Sequence, residues 1–131
     1  SLYTSIMPNL LVDGVARALK KSKAIKIYIC NVLTQPGETD KYTAAQHAKA
    51  ILDHTGEGAI DYVLVNSTPI PEELWRGTGS TPVGNDEDKV NALGMGLIKA
   101  DLMSTSEIGR HDPDKLCAAV MKIIYSLGIR D

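Results

Sequence analysis

The chain has 131 residues, of which 44% are hydrophobic and 23% charged, a balance that suits one soluble domain with a single core and argues against a disordered chain. A formal net charge of −2 offers no general attraction to nucleic acid or to an anionic membrane, and no apolar run approaches the roughly 20 residues that span a bilayer. With five Tyr, one Trp and no Phe, aliphatic side chains must fill the core, and several Tyr belong at edges where the hydroxyl finds a partner.

The opening "SLYTS" crowds Ser1, Tyr3, Thr4 and Ser5 into five positions. A helix start exposes backbone N–H groups and the positive end of its dipole. Adjacent hydroxyls add donors, so Ser1, Thr4 and Ser5 form a candidate phosphate site; simple capping of a short helix is the alternative. Pro8 limits the run of that first helical segment. Asp13 stands as an N-cap before the stripe Val15, Ala18, Leu19. The lysines at 20, 21, 23 and 26 read as a solvated helix C-terminus. "KIYICNV", Lys26 to Val32, is an apolar, β-branched strand closing on Asn31.

After it comes "NVLTQPGETDKYT". This loop leaves a strand at its carboxyl end, where ligands sit in open α/β sheets. Asn31, Thr34, Gln35, Glu38, Thr39 and Asp40 crowd polar groups around the Pro36-Gly37 turn; an ordinary polar loop is the other reading. Thr43 and Gln46 have capping-box spacing for a helix carrying Ala45, Ala48, Ile51 and Leu52. Asp61 to Asn66, "DYVLVN", repeats the strand-to-asparagine design. "WRGTGSTPVGN", from Trp75 to Asn85, reads as a surface loop without a dinucleotide fingerprint. A third strand spans Gly96 to Met103. Asp112 as N-cap, Pro113 at the first turn and Gly128 as stop bound a last helix with Leu116, Val120, Ile123, Ile124 and Leu127 on its buried face. Strands alternating with helices predict an α/β sandwich with a mainly parallel sheet.

Nucleophilic catalysis has little support, since there is no GxSxG elbow and neither cysteine has a histidine and acid in sequence reach. Cys30 and Cys117 read as two buried thiols of a reducing cytoplasm. His47 and His54 form no HExxH pair and suit surface or packing roles. Glu38 and Asp40 leave open a divalent ion beside a diphosphate. Arg110 and His111 precede the last helix; they either form a plain helix start or present a guanidinium and an imidazole to a phosphate.

Three blocks, "SLYTSIMPNLLVDGVARAL", "KIYICNVLTQPGETDKYTAAQHAKAI" and "RHDPDKL", together resemble the C-terminal part of the CofD-like family, on its YvcK-type branch of gluconeogenesis factors. The resemblance implies that residues 1–131 are one C-terminal portion of a Rossmann-like three-layer α/β/α domain, cut within a phosphate-binding loop and lacking an N-terminal half with a glycine-rich loop. It implies a cytoplasmic bacterial protein that binds a UDP-sugar such as UDP-N-acetylglucosamine and serves gluconeogenic growth, cell shape and cell-wall synthesis. Carried onto this sequence, the ligand cleft is lined by Ser1, Thr4 and Ser5 and by the loop holding Thr34, Gln35, Gly37, Glu38 and Thr39, with Arg110 holding the UDP-sugar. A tyrosine normally accompanies that arginine; Trp75 is the nearest aromatic here. The resemblance also implies the remainder of its own chain and a homodimer as partners. Two alternatives follow from it. One is a phosphotransferase joining a phospholactyl group to a deazaflavin with a guanine nucleotide donor; the other is a structural or dimerisation half without its own site.

Overall fold

The structure, a computed structural model, describes residues 1–107 and 109–127. Three strands, β1 (Ile27–Ile29), β2 (Tyr62–Asn66) and β3 (Gly96–Ala100), form a parallel sheet in the order β1-β2-β3. Ile27 pairs with Tyr62 and Tyr62 with Gly96, so the register is continuous across the sheet. The expected strands are present but shorter, because β1 regular pairing ends at Ile29; Cys30 still donates its N–H to Leu64 O at 2.9 Å.

The alternation of side chains along β2 explains the layering. Val63 and Val65 point to one face and pack with Ala44, Ala45, Ala48 and Ile51 of α3 (Ala44–Thr55) and Val90 of α4 (Glu87–Ala92). Leu64 points to the other, against Ile123 and the half-buried Leu116 and Val120 of α5 (Pro113–Ser126). All three β2 residues are buried. Each contributes about 1.5–3 kcal/mol of hydrophobic stabilisation. The result is the predicted α/β/α sandwich.

Local signals account for the helix starts. Thr43 and Gln46 make the reciprocal capping box: the Gln46 N–H donates to Thr43 Oγ1 at 3.3 Å, and the Thr43 N–H to Gln46 Oε1 at 2.9 Å. Asp112 Oδ1 accepts from the Asp114 and Lys115 N–H groups at 2.9 and 3.1 Å, with Pro113 in the first turn of α5. The expected stop at Gly128 lies outside the described residues.

Three expectations are corrected. The cap of α2 (Val15–Lys21) is Gly14, at φ 87°, instead of Asp13, because the chain enters that helix through a left-handed turn open to glycine. Cys117 is exposed while Cys30 is buried, since Cys117 faces away from the sheet on α5. Leu127, expected on the buried face, is 39% exposed, because it lies past the end of α5 as its C-cap.

The opening segment folds as a π-helical turn, Leu2–Ile6, running directly into α1 (Met7–Leu10) with Pro8 in its first turn. Met7 at the junction donates its N–H back to Leu2 O of the π-turn, while Pro8, the next residue, has no N–H to place. Leu2 and Met7 are buried in the α3 side of the core, which holds Ser1 beside the carboxyl end of the sheet.

Candidate functional site

A cleft of about 640 Å³ opens at the carboxyl edge of the sheet, lined by Asn31, Thr34, Gln35, Ser80, Arg110 and His111 together with Ser1. These come from four separate parts of the chain. A polar segment leaving β1 is expected at this edge, because a parallel sheet ends all its strands on one side and the loops there are free of the core.

The floor is the 31–35 segment. The Thr34 N–H donates to Thr81 O at 2.8 Å, the Thr81 N–H returns to Thr34 Oγ1 at 2.9 Å, and the two hydroxyls lie 3.2 Å apart. Two residues further, the Val83 N–H donates to Val32 O at 3.1 Å. The Gly/Ser-rich loop is thereby clamped to the strand extension at its far end, and Ser80 becomes part of the wall. The sequence reading gave Ser80 no role, because nothing local ties residue 80 to residue 34.

Gln35 is held by its backbone: its N–H donates to Thr39 Oγ1 at 2.8 Å, and its carbonyl accepts from the Thr39 N–H at 2.9 Å. Its side-chain Oε1 is buried without a donor among the described residues. A buried acceptor left without a donor carries a desolvation cost.

On the opposite wall, the Asp112 N–H donates to Leu102 O at 2.7 Å, and Met103 and His111 form an antiparallel bridge. This places Arg110 and His111 at the cleft as α5 begins. His111 Nε2 lies 3.0 Å from Cys30 O. A carbonyl only accepts, so Nε2 carries the hydrogen, and in the neutral ring Nδ1 is an acceptor suited to a ligand hydroxyl. The Arg110 guanidinium is exposed, with Nε 3.2 Å from Glu107 Oε2. Its Nη groups have no acceptor among the described residues and can take phosphate oxygens in a bidentate manner.

The remaining predicted residues lie elsewhere. Ser1 Oγ accepts the Thr4 N–H at 3.2 Å, so that hydroxyl caps the π-turn as well as edging the cleft; Thr4 and Ser5 are exposed and outside the cleft wall. Gly37 adopts φ 78° and donates its N–H to Asp40 Oδ2 at 2.8 Å, Glu38 is exposed, and Thr39 is buried as the partner of Gln35. These residues shape the loop instead of lining the cavity. Trp75 donates its indole N–H to Ile70 O at 3.3 Å and is not in the wall. Burial pushes the Cys30 thiol up to about 12, which makes it a poor nucleophile. Among the described residues no three His, Cys, Asp or Glu side chains gather to hold a metal, and no helix is long and apolar enough to cross a membrane.

A parallel α/β sandwich with a polar cleft at its carboxyl edge defines a class of ligand-binding folds. The chain belongs to the CofD family: the family model described as 2-phospho-L-lactate transferase CofD matches residues 1–103. Within it, the chain is 44% identical over 126 residues to a gluconeogenesis factor of Halalkalibacterium halodurans, covering 93% of this chain and 39% of that protein. It is 43% identical over 128 residues to the gluconeogenesis factor of Bacillus subtilis, covering 95% and 40%. A crystal structure of a UPF0052 family member from Bacillus halodurans superposes with a TM-score of 0.87 at 45% identity, over 92% of this chain and 40% of that one. The chain thus spans about two fifths of the length of these relatives.

Proposed function

We propose that this chain supplies one wall of a nucleotide-sugar site in a gluconeogenesis factor of the YvcK type, binding a UDP-sugar such as UDP-N-acetylglucosamine without turnover. The observation that carries the reading is the cleft itself. It brings Arg110, whose Nη groups have no acceptor among the described residues, into one cleft with His111, Gln35, Thr34, Ser80 and Ser1. The guanidinium suits a diphosphate, and the hydroxyl, amide and imidazole groups of Thr34, Ser80, Asn31 and His111 suit sugar hydroxyls. The similarity to proteins named gluconeogenesis factors favours a sensor over a transferase: a sensor needs only a pocket whose filling shifts a conformational or partner equilibrium. The similarity to gluconeogenesis factors supports a role in gluconeogenic growth, and with it, in this reading, cell shape and wall synthesis in the cytoplasm. The rest of the protein and a second copy are its partners.

The test is calorimetric titration of the full-length protein with UDP-N-acetylglucosamine, UDP-glucose, GDP and GTP, with product analysis. UDP-sugars bind and are recovered unchanged, and Arg110→Ala weakens them about 10- to 100-fold, the loss expected for a charge-assisted phosphate contact. Binding of guanine nucleotides in place of UDP-sugars, or consumption of the ligand, overturns the reading in favour of a phosphotransferase.

A further inference from the structure

A second cavity, of about 180 Å³, opens beside the first and shares Asn31 and Val32 with it. The two differ in charge. The larger has Arg110 and His111 in its wall, whereas among the described residues no charged side chain lines the smaller. The smaller one is faced by Ile70, Pro82 and Val83, with carboxamides from Asn31, Asn66 and Asn85.

The three amides are not equivalent. Asn66 is occupied by the protein: its Nδ2 donates to Thr68 O at 2.8 Å, and its Oδ1 accepts from the N–H groups of Thr68 and Leu102 at 3.3 and 3.1 Å. It holds the ends of β2 and β3 together. Asn85 Nδ2 donates to Asn66 O at 3.2 Å. Because that carbonyl only accepts, the orientation of the Asn85 amide is determined, and its Oδ1 has no partner among the described residues. The half-buried Asn31 amide makes no hydrogen bond among the described residues, and it stands where the two cavities meet.

This space takes apolar surface from Ile70, Pro82 and Val83 and polar surface from Ser67, Thr68 and the carboxamides, and among the described residues it has no cation placed for a phosphate. It suits a nucleobase, which has two apolar faces and a polar edge carrying donors and acceptors in one plane. We infer that the smaller cavity receives the base of the nucleotide, with Asn85 Oδ1 accepting a ring N–H and Asn31 pairing with a neighbouring edge atom. The diphosphate then crosses at Asn31 towards Arg110, and the sugar lies against Thr34 and Gln35. This rests on the nucleotide-sugar reading and adds to it a polarity of binding and two base-reading residues.

The experiment uses the full-length protein and two ligands that share only their phosphate: UDP, and N-acetylglucosamine 1-phosphate, each measured by ligand-observed NMR competition and calorimetry. Asn85→Leu and Asn31→Ala each weaken UDP about tenfold, the value of one hydrogen bond, and leave N-acetylglucosamine 1-phosphate within about twofold. Asn31→Ala breaks no hydrogen bond seen among the described residues, so it tests the idea even where Asn85→Leu disturbs the fold. Equal weakening of both ligands, weakening of the sugar phosphate alone, or unchanged UDP affinity in both variants overturns the inference while leaving the nucleotide-sugar reading intact. If the unsubstituted protein binds neither ligand, the nucleotide-sugar reading fails, and this inference fails with it.

Discussion

Thr34 is 2% exposed, and its hydroxyl accepts the Thr81 N–H at 2.9 Å while lying 3.2 Å from the Thr81 hydroxyl. Thr34→Val keeps the shape and removes both contacts. One hydrogen bond contributes a net 0.5–1.5 kcal/mol or so, and a donor left buried without an acceptor costs roughly 1–3 kcal/mol. Thr81 is only half-buried, so water relieves part of the penalty, and a loss of about 1–2 kcal/mol is expected. That is small against a total stability of about 5–15 kcal/mol. The protein stays folded, and the effect is concentrated on the loop. Urea unfolding of the full-length protein measures the stability, and amide exchange of Thr34, Thr81 and Val83 measures the clamp. Thr81→Val removes only the hydroxyl pair and should lose less. A Thr34→Val protein with a stability change below about 0.5 kcal/mol and undiminished protection at residues 81 and 83 would refute the claim that this pair holds the cleft wall.

Asp112→Ala removes the acceptor of two N–H groups at the start of α5. It should cost about 1 kcal/mol and weaken ligand binding by loosening Arg110 and His111, as thermal melts and titration would show. Gly109 has φ +76°, and an added Cβ would lie 2.6 Å from Leu33 Cδ1; at Gly37, φ +78°, it meets nothing within 4 Å. Gly109→Ala should therefore lower Tm more than Gly37→Ala, whose cost is the left-handed backbone alone, about 1–2 kcal/mol; equal losses would discount the Leu33 contact. His47 is fully buried, with Nδ1 2.8 Å from Thr43 O. Burial holds its pKa below 6.5, so the unfolded chain binds the proton more readily. Its contribution to stability is complete above that value and declines as pH falls from 6.5 through the folded value, by up to about 1.4 kcal/mol per pH unit. His47→Gln should flatten this slope in pH-dependent denaturation, and an unchanged slope would assign it to other groups.

What could be read from the sequence was mostly local. The apolar runs at Tyr28 and Val63 to Val65, the Thr43/Gln46 box and the Asp112-Pro113 start each carry their signal within a few residues, and each appears in the structure. Asn31, Thr34, Gln35, Arg110 and His111 were singled out by residue type and position in the elements or by resemblance, and they meet at one cleft. The rest depended on distant partners. Ser80 acquires its place from the Thr34–Thr81 pairing, 47 residues apart. Thr39 has the composition of a ligand-facing group, yet its hydroxyl accepts the Gln35 N–H within the loop, while Glu38 is exposed outside the cleft wall. Asp13 resembled a cap because composition does not reveal that Gly14 adopts a positive φ. Trp75 was the nearest aromatic in sequence, but its indole N–H is directed to Ile70 O.

The His111 Nε2 contact with Cys30 O joins positions 81 residues apart, closing nearly the whole chain between the first strand and the last helix. Contacts of such long separation form late, after the entropy of closing the intervening loop has been met. If the cleft binds as proposed, a chain with a complete sheet but an undocked α5 lacks Arg110 and His111 at its wall and binds the ligand more weakly. Conversely, a ligand that recognises only the docked form stabilises it in proportion to the logarithm of its concentration. On the proposed function, supply of the small molecule would then protect α5 against detachment and proteolysis, and the lifetime of the protein would rise with the abundance of that ligand.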